Sequence, residues 1–159
     1  MPRFVALLRG INVGRGNRVP MAGLQRLLED LGYGDVRTLL NSGNAVFTSS
    51  GRSSLKHAQS IAQALHTTFG VTTPVIVKSA AEFSLIVTQC PWIPPESEHS
   101  RFLVAFAMDP AALRTLVPLG QLAQEPERLV VTERAAYLYC PHGLLESKVG
   151  EAMLGKAGR

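Results

Sequence analysis

Residues 36–48 read VRTLLNSGNAVFT, in which two short apolar runs are separated by the turn residues 41–44. β-Branched and apolar residues on either side of an Asn- and Gly-rich turn are typical of a β-hairpin. Two strands are therefore predicted, over residues 36–40 and 45–48. Because this hairpin lies between two segments of helical periodicity, it decides the fold of the first half of the chain.

Those flanking segments are amphipathic. Apolar residues recur at helical spacing over residues 21–31 and 55–69, and a glycine follows each run. Short apolar runs at residues 3–8 and 75–77 predict one strand before the first helix and another after the second. The resulting order, β-α-β-β-α-β, is that of the split βαβ or ferredoxin-like unit.

The second half of the chain repeats most of this order. The predicted elements are, in sequence, a helix (80–87), a proline-rich connector (90–95), a strand (101–107), a helix (109–117), two strands (128–131 and 135–139) and a helix (145–154). The predicted fold class is therefore α+β, with two ferredoxin-like units from a duplication and mainly antiparallel sheets. The units are expected at residues 1–79 and 80–159, the second without its closing strand.

Composition limits the class of protein. With 46% hydrophobic and 18% charged residues, the chain has enough apolar material for a packed core, which excludes a wholly disordered protein. Its longest apolar stretch, residues 102–108, is far shorter than the ~20 residues that cross a bilayer. The N-terminal run lacks a signal-peptide pattern. We therefore expect a cytoplasmic protein with no membrane partner, in which Cys90 and Cys140 are reduced core thiols.

Charge is unevenly distributed along the chain. Residues 1–78 carry nine basic and three acidic side chains, a net charge of +6, whereas residues 79–159 carry seven and nine, a net charge of −2. A basic half attracts phosphate-bearing molecules or nucleic acid. The alternative is a bias toward arginine, which supplies twelve of the sixteen cations and needs no ligand.

The run ALLRGINVG at residues 6–14, followed by SGNAVF at 42–47 and YLY at 137–139, resembles the bacterial domain-of-unknown-function family numbered 1697. The similarity extends over residues 3–155 and is most specific in the first half. It implies two ferredoxin-like domains from an internal duplication, in a family of unassigned activity. Family members usually continue past Gly155 into a segment containing Arg-Asn-Trp, so the resemblance also implies that the second unit lacks its closing segment.

A candidate binding site follows from the predicted topology. The ferredoxin-like sheet order 4-1-3-2 brings together the loop of residues 9–18, the turn of residues 41–44 and residues 72–73, next to the first helix N-terminus, which favours anions. The candidate anion-binding residues are Arg9, Asn12, Arg15, Arg18, Ser42 and Asn44. The alternative is that the glycines permit tight turns while the asparagines cap exposed backbone groups.

Named nucleotide-binding motifs are missing from this region. The spacing of Gly10, Gly14 and Gly16 fits neither the Walker A loop nor the dinucleotide fingerprint G-x-G-x-x-G. An RNA-recognition module has the same element order but needs aromatic residues on its third strand, where this chain has Asn44 and Val46. Base stacking is therefore not expected, whereas phosphate contact by the arginines stays open as a hypothesis.

Catalytic residues are not indicated. Cys140 lies two residues before His142, but Pro141 interrupts the strand between them, and a free cysteine is normally a core residue. No metal site or cofactor is predicted from the histidine and cysteine spacing. Since no acid–base pair stands out, the sequence leaves open whether the protein is an enzyme.

Three functional hypotheses remain, in order of preference. The first is a binding protein that accepts a phosphate-bearing small molecule or a nucleic-acid backbone at residues 9–18, Ser42 and Asn44. The second is a protein–protein interaction or homo-oligomerisation module, indicated by the apolar strand within residues 102–108 and the incomplete second unit. The third is a small-molecule enzyme with a site between the domains.

Overall fold

The computed structural model describes residues 1–154 and divides the chain into two units. The first unit is Met1–Leu85, and the second begins at Ile86. The sequence prediction put the boundary between residues 79 and 80, whereas the structure puts the division inside a helix, Ala80–Thr88. No helix within residues 1–154 is both long enough and apolar enough to cross a membrane.

The first unit is an α+β fold with one antiparallel sheet. Its elements are β1 (Arg3–Leu8), α1 (Met21–Asp30), β2 (Gly34–Leu39), β3 (Asn44–Thr48), α2 (Ser54–Phe69) and β4 (Val75–Ser79). The strands lie in the order β2-β3-β1-β4, which is the 4-1-3-2 order expected of a ferredoxin-like unit. Each predicted strand and helix of this half is present, with ends shifted by no more than two residues.

Alternation along the strands produces the core of the first unit. In β1, Phe4, Ala6 and Leu8 are buried, while the intervening residues lie on the other face of the sheet. The buried strand residues pack against the apolar faces of the two helices, including Leu24 of α1 and Ile61 of α2. Each fully buried large aliphatic or aromatic side chain contributes about 1.5–3 kcal/mol relative to exposure.

Capping explains where α2 begins and ends. The Ser53 side chain accepts a hydrogen bond from the Lys56 amide at 3.2 Å, which distinguishes Ser53 from Ser54 as the N-cap. At the other end, Gly70 adopts a left-handed conformation with φ 65° and its amide donates to the His66 carbonyl. The helix therefore ends where the sequence predicts.

The second unit begins inside α3 (Ala80–Thr88). Its other helices and strands are β5 (Phe102–Ala105), α4 (Pro110–Arg114), β6 (Arg128–Val131), β7 (Ala136–Tyr139) and α5 (Lys148–Leu154). The strands form a shorter antiparallel sheet in the order β5-β7-β6. The described part of this unit also contains 3-10 turns at Glu96–Arg101, Val117–Leu122 and Leu144–Glu146. Strands β5, β7 and β6 have the relative positions of strands 1, 3 and 2 of a ferredoxin-like sheet.

Several elements of the second unit are shorter than predicted. Helix α4 covers only Pro110–Arg114 of the predicted residues 109–117, and β7 begins one residue later than predicted, at Ala136. Strand β5 occupies four of the seven residues 101–107, because a continuous apolar run does not mark where pairing stops. Helix α5 begins at Lys148, since the Ser147 hydroxyl accepts from the Gly150 amide at 2.9 Å and caps the helix there. The second unit was also expected to lack its closing segment. That expectation falls on residues 155–159, which lie outside the described residues.

Candidate functional site

Strand pairing brings the three predicted site segments to one edge of the first sheet. Strand β1 lies between β3 and β4 and is antiparallel to both. Leu7 is opposite Asn44, and Leu8 is opposite Val75. The loop after β1, the turn before β3 and the residues before β4 are therefore neighbours. We refer to residues 9–18 as the arginine loop and to residues 41–44 as the asparagine turn.

Two buried aliphatic residues fix the ends of the arginine loop. Ile11 and Val19 are both buried in the core of the first unit, whereas residues 13–18 between them are exposed. Asn12 ties the two ends together. Its Nδ2 donates to the Val19 carbonyl at 2.8 Å, its Oδ1 accepts from the Val19 amide at 2.8 Å, and its backbone amide donates to the Asn17 carbonyl at 3.0 Å.

Asn12 also links the arginine loop to the asparagine turn. Its Nδ2 lies 2.7 Å from the Asn41 carbonyl oxygen and 3.3 Å from Asn41 Oδ1. Gly43 permits this close approach, since a Cβ built on it would lie 2.6 Å from Ile11 Cδ1 and 2.9 Å from Leu8 Cβ. Its φ of 95° is also one that side-chain-bearing residues rarely adopt. The loop and the turn therefore form one packed unit.

The residues before β4 provide a third attachment. The Thr73 hydroxyl donates to the Arg9 carbonyl, which connects positions 64 residues apart in sequence. Thr73 is itself buried. The arginine loop is thus held at its first residue by Thr73 and at its third residue by the burial of Ile11. Directly after its last residue it is held by Val19, which is buried and hydrogen-bonded to Asn12.

All three arginines of the loop, Arg9, Arg15 and Arg18, are exposed. The Arg18 guanidinium folds back over the loop, where its Nη2 donates to the Gly14 carbonyl at 2.5 Å. A guanidinium has five N–H donors, so one internal hydrogen bond leaves Arg18 able to contact an anion.

The asparagine turn uses its own polar groups to close the hairpin. Asn44 Nδ2 donates to the Leu39 carbonyl at 3.1 Å and to Ser42 Oγ at 3.2 Å. Ser42 is exposed, and its hydroxyl, which accepts from Asn44, still carries a proton to donate. Asn44 therefore has a structural role, whereas Ser42 combines that role with a donor facing solvent.

The six predicted site residues thus fall into two groups. Asn12 and Asn44 act as the turn-capping alternative describes, because their amides bond to backbone groups of the first unit. The exposed cationic groups of the arginines and the Ser42 hydroxyl are the outward-facing part of the site. Sequence reasoning did not single out Asn41 or Thr73 as attachment points, since their partners are far away in sequence and no local pattern indicates them.

The N-terminus of α1 follows directly after the arginine loop. Pro20 is its N-cap residue and makes no side-chain capping hydrogen bond. The first amides of a helix have no partner within the helix, and the helix dipole gives this end a partial positive charge. This end of α1 therefore adds to the positive potential of the loop.

Other chemically reactive groups do not form a site in the described residues. No group of three or more His, Cys, Asp or Glu side chains within residues 1–154 could hold a metal ion. Burial raises the pKa of the Cys140 thiol, and this thiol donates to the Arg101 carbonyl at 3.2 Å. A buried, protonated thiol of this kind is a poor nucleophile, in agreement with its predicted role as a core residue.

Comparison with known proteins places the chain in a family. The profile of the family described as protein of unknown function (DUF1697) matches residues 1–137. The chain belongs to this family. The match includes the arginine loop and the asparagine turn, and it confirms the resemblance seen in the sequence. No curated protein matches the chain.

A solved structure supports the fold of this DUF1697 protein. The conserved bacterial protein SP0830 from Streptococcus pneumoniae has a TM-score of 0.72 and 22% sequence identity, over 97% of this chain and 86% of that chain. At this identity the similarity establishes the α+β fold and carries no statement about activity.

Proposed function

We propose that the first unit binds phosphate groups, of a small molecule or of a nucleic-acid backbone, at the exposed side of the arginine loop. The observation that supports this proposal most directly is the placement of Arg9, Arg15 and Arg18 on one loop that Asn12 holds to the asparagine turn. A loop held at both ends presents its cations with less loss of conformational freedom on binding than a flexible segment does.

The groups at this surface have the chemistry that binds phosphate. Guanidinium groups form paired hydrogen bonds with phosphate oxygens, and the Ser42 hydroxyl adds a neutral donor at the same edge. The net charge of +6 on residues 1–78 raises the local concentration of polyanions. Exposed ion pairs contribute only about 0.2–1 kcal/mol each, so weak and salt-sensitive binding is expected.

The face of the first sheet opposite its buried core residues bears on how a nucleic acid would be recognised. The strand residues on this face include Val5, Leu7, Val46 and Ile76, which are aliphatic and half-buried. Base recognition on sheets of this topology depends on aromatic rings. The proposed contact is therefore with phosphates, without base specificity.

Binding at low salt tests this function. Nucleoside triphosphates, inorganic phosphate and fluorescent single-stranded oligonucleotides of increasing length are titrated against the wild-type chain and against the triple variant Arg9→Ala, Arg15→Ala, Arg18→Ala. Loss of binding in the triple variant is expected. For a single strand held by three phosphate contacts, log K should fall against log[salt] with a slope of about −2.

A matched variant separates a local site from general charge. Arg26, Arg37 and Arg52 are exposed arginines of the same unit outside the loop, and their replacement by alanine removes the same charge. Equal weakening by the two triple variants would show that only net charge matters and would contradict the proposal, as would a wild-type chain that binds none of the probes. Affinity that grows with oligonucleotide length indicates a nucleic-acid backbone, whereas saturation with nucleotides indicates a small ligand.

A further inference from the structure

Three aliphatic side chains are exposed at the end of the first unit that carries the arginine loop. Val13 lies within the loop and is 74% exposed, while Leu39 and Leu40, which precede the asparagine turn, are 58% and 77% exposed. The hydrogen bond from Asn12 Nδ2 to the Asn41 carbonyl joins the sequence neighbours of Val13 and Leu40. The three residues therefore lie at one end of the sheet, and we refer to them as the apolar tip.

The backbone of Leu40 shows that folding alone does not account for a leucine at this position. Its φ of 60° lies in the left-handed region, which glycine and asparagine adopt readily and bulky residues rarely do. Its exposed side chain is outside the core of the unit. A residue that costs stability where it stands and packs against little in its own unit indicates contact with another molecule.

Negative charge in the first unit is confined to the opposite end. Helix α1 and strand β4 run away from the arginine loop, and strand β2 runs toward it. The acidic residues of Met1–Leu85 lie in the last turn of α1, at the start of β2 and just after β4, and they are Glu29, Asp30, Asp35 and Glu82. Since α1 has 10 residues and is about 15 Å long, the arginines and the apolar tip are well separated from these carboxylates.

We propose that the first unit docks on the surface of a membrane that contains anionic phospholipids. The arginines of the loop bind lipid phosphates, and the apolar tip enters the boundary between the headgroups and the acyl chains. This inference rests on the proposed phosphate-binding function and names the lipid headgroup as the source of the phosphate. Docking of this kind needs no membrane-spanning segment. The lack of such a segment, from which no membrane partner was expected, therefore does not bear on it.

The apolar tip distinguishes a lipid surface from other molecules that carry phosphate. A nucleic-acid backbone presents phosphates and sugars, and its bases stack on aromatic rings rather than on aliphatic side chains. A nucleotide or inorganic phosphate likewise leaves the three aliphatic side chains in water. A bilayer presents anionic groups with hydrocarbon directly beneath them. Among these ligands, the lipid surface alone matches both the cations and the apolar tip.

The separation of charge also favours docking in one orientation. The negative potential of an anionic lipid surface decays over a Debye length, about 8–10 Å near physiological salt. With the arginine loop on the surface, the carboxylates at the other end of the unit lie beyond this distance and are not repelled. Each arginine near the surface should strengthen binding about fivefold.

Cosedimentation of the full chain with lipid vesicles tests this docking. The vesicles contain phosphatidylcholine alone or a mixture of phosphatidylcholine and phosphatidylglycerol. The wild-type chain should bind the mixed vesicles, less tightly as salt is added, and should bind phosphatidylcholine vesicles only weakly. The triple variant Arg9→Ala, Arg15→Ala, Arg18→Ala should bind the mixed vesicles about a hundredfold more weakly.

Leu40→Asn tests the apolar tip without removing charge. It should weaken binding to the mixed vesicles about tenfold, because an inserted leucine contributes at least that factor. Asparagine adopts the Leu40 backbone conformation readily, so the variant should unfold at the same urea concentration as the wild type or at a higher one. Leu55→Asn is the matched control, since Leu55 is 57% exposed but lies in the first turn of α2, at the far end of the unit. It should bind vesicles as the wild type does.

Soluble phosphates distinguish this inference from the function on which it rests. Leu40→Asn keeps all three arginines of the loop, so its binding of nucleotides and oligonucleotides should equal that of the wild type. If the wild-type chain binds these probes but not the mixed vesicles, the phosphate site stands and the lipid source is wrong. If it binds neither, both proposals are wrong.

Other results would also overturn the docking proposal. These are equal binding to vesicles with and without phosphatidylglycerol, and equal weakening by Leu40→Asn and Leu55→Asn. A dimer that forms without lipid and that Leu40→Asn dissociates would show that a second copy of the chain covers the apolar tip, which contradicts the proposal.

Discussion

Replacement of Asn12 tests whether the arginine loop depends on a single side chain. The Asn12 amide serves three backbone groups, the Val19 amide, the Val19 carbonyl and the Asn41 carbonyl. At a net of about 1 kcal/mol for each hydrogen bond, Asn12→Ala should cost about 3 kcal/mol. The φ of Asn12 is 57°, and alanine in this left-handed region adds about 1 kcal/mol. The loss is a large part of a typical stability of 5–15 kcal/mol.

Two further substitutions separate these contributions. Asn12→Gly loses the same hydrogen bonds without the backbone strain, so it should be about 1 kcal/mol more stable than Asn12→Ala. Asn12→Asp keeps the size of the side chain and the acceptor for the Val19 amide. The donor Nδ2, however, becomes an oxygen that faces the carbonyl oxygens of Val19 and Asn41 and is repelled by them. Asn12→Asp should therefore destabilise the chain although it is nearly isosteric.

Urea unfolding gives the free energies, and hydrogen exchange at the Val19 amide reports the loop directly. Exchange at Val19 should become faster in Asn12→Ala than in the wild type. An Asn12→Ala variant within about 1 kcal/mol of the wild type would refute the reasoning. An Asn12→Asp variant as stable as the wild type would refute it too, because the donor role of Nδ2 would then be unimportant.

Other predictions concern the first unit and the start of α3. Thr48 Oγ1 is buried without a hydrogen-bond partner, so Thr48→Val should leave stability unchanged or raise it by up to about 1 kcal/mol in urea unfolding. The buried His57 ring bonds to the Tyr33 hydroxyl and the Gly51 carbonyl, both at 2.9 Å. Tyr33→Phe should therefore lower the thermal midpoint, by an amount that corresponds to about 1 kcal/mol. Burial raises the pKa of Glu82, but hydrogen bonds from Ser79 and Ser54 outweigh it and hold the pKa below its usual value. The stability that Glu82 contributes is consequently present above the pKa of an unfolded-state glutamate, about 4.3. It is lost as the pH falls through the lower pKa that Glu82 has in the folded state. Glu82→Gln should thus be less stable than the wild type at neutral pH, with a difference that disappears in acid.

Periodicity predicted the topology of the first unit because its signals are local. The hairpin of residues 36–48 and the two helical repeats each lie within a short window, and short connections leave few ways to join them. The bridge from Asn12 to Asn41 joins residues 29 positions apart, and that from Thr73 to Arg9 joins residues 64 apart. No window of sequence contains such pairs, so only the assembled fold reveals them.

The second unit was harder to predict for a different reason. Its strands have four residues each and α4 has five, which is too short for a period to fix their ends. The start of α5 was readable in principle, since Ser147 is a good N-cap residue. The apolar residues before it extended the predicted helix, whereas in the structure Leu144–Glu146 forms a separate 3-10 turn.

Folding and binding make separable demands on the arginine loop. Gly10 and Gly14 are explained by their positive φ, and Asn12 by its hydrogen bonds within the unit, so the presence of these residues alone says nothing about a ligand. The Arg15 side chain is exposed on that loop, and substitutions at such surface positions usually change stability by less than about 0.5 kcal/mol. Arg15→Ala should therefore weaken phosphate binding while unfolding at the same urea concentration as the wild type, whereas Asn12→Ala should impair both. If Arg15→Ala reduced stability as much as Asn12→Ala, folding alone would account for the arginine; if it left binding intact, Arg15 would have no part in the site.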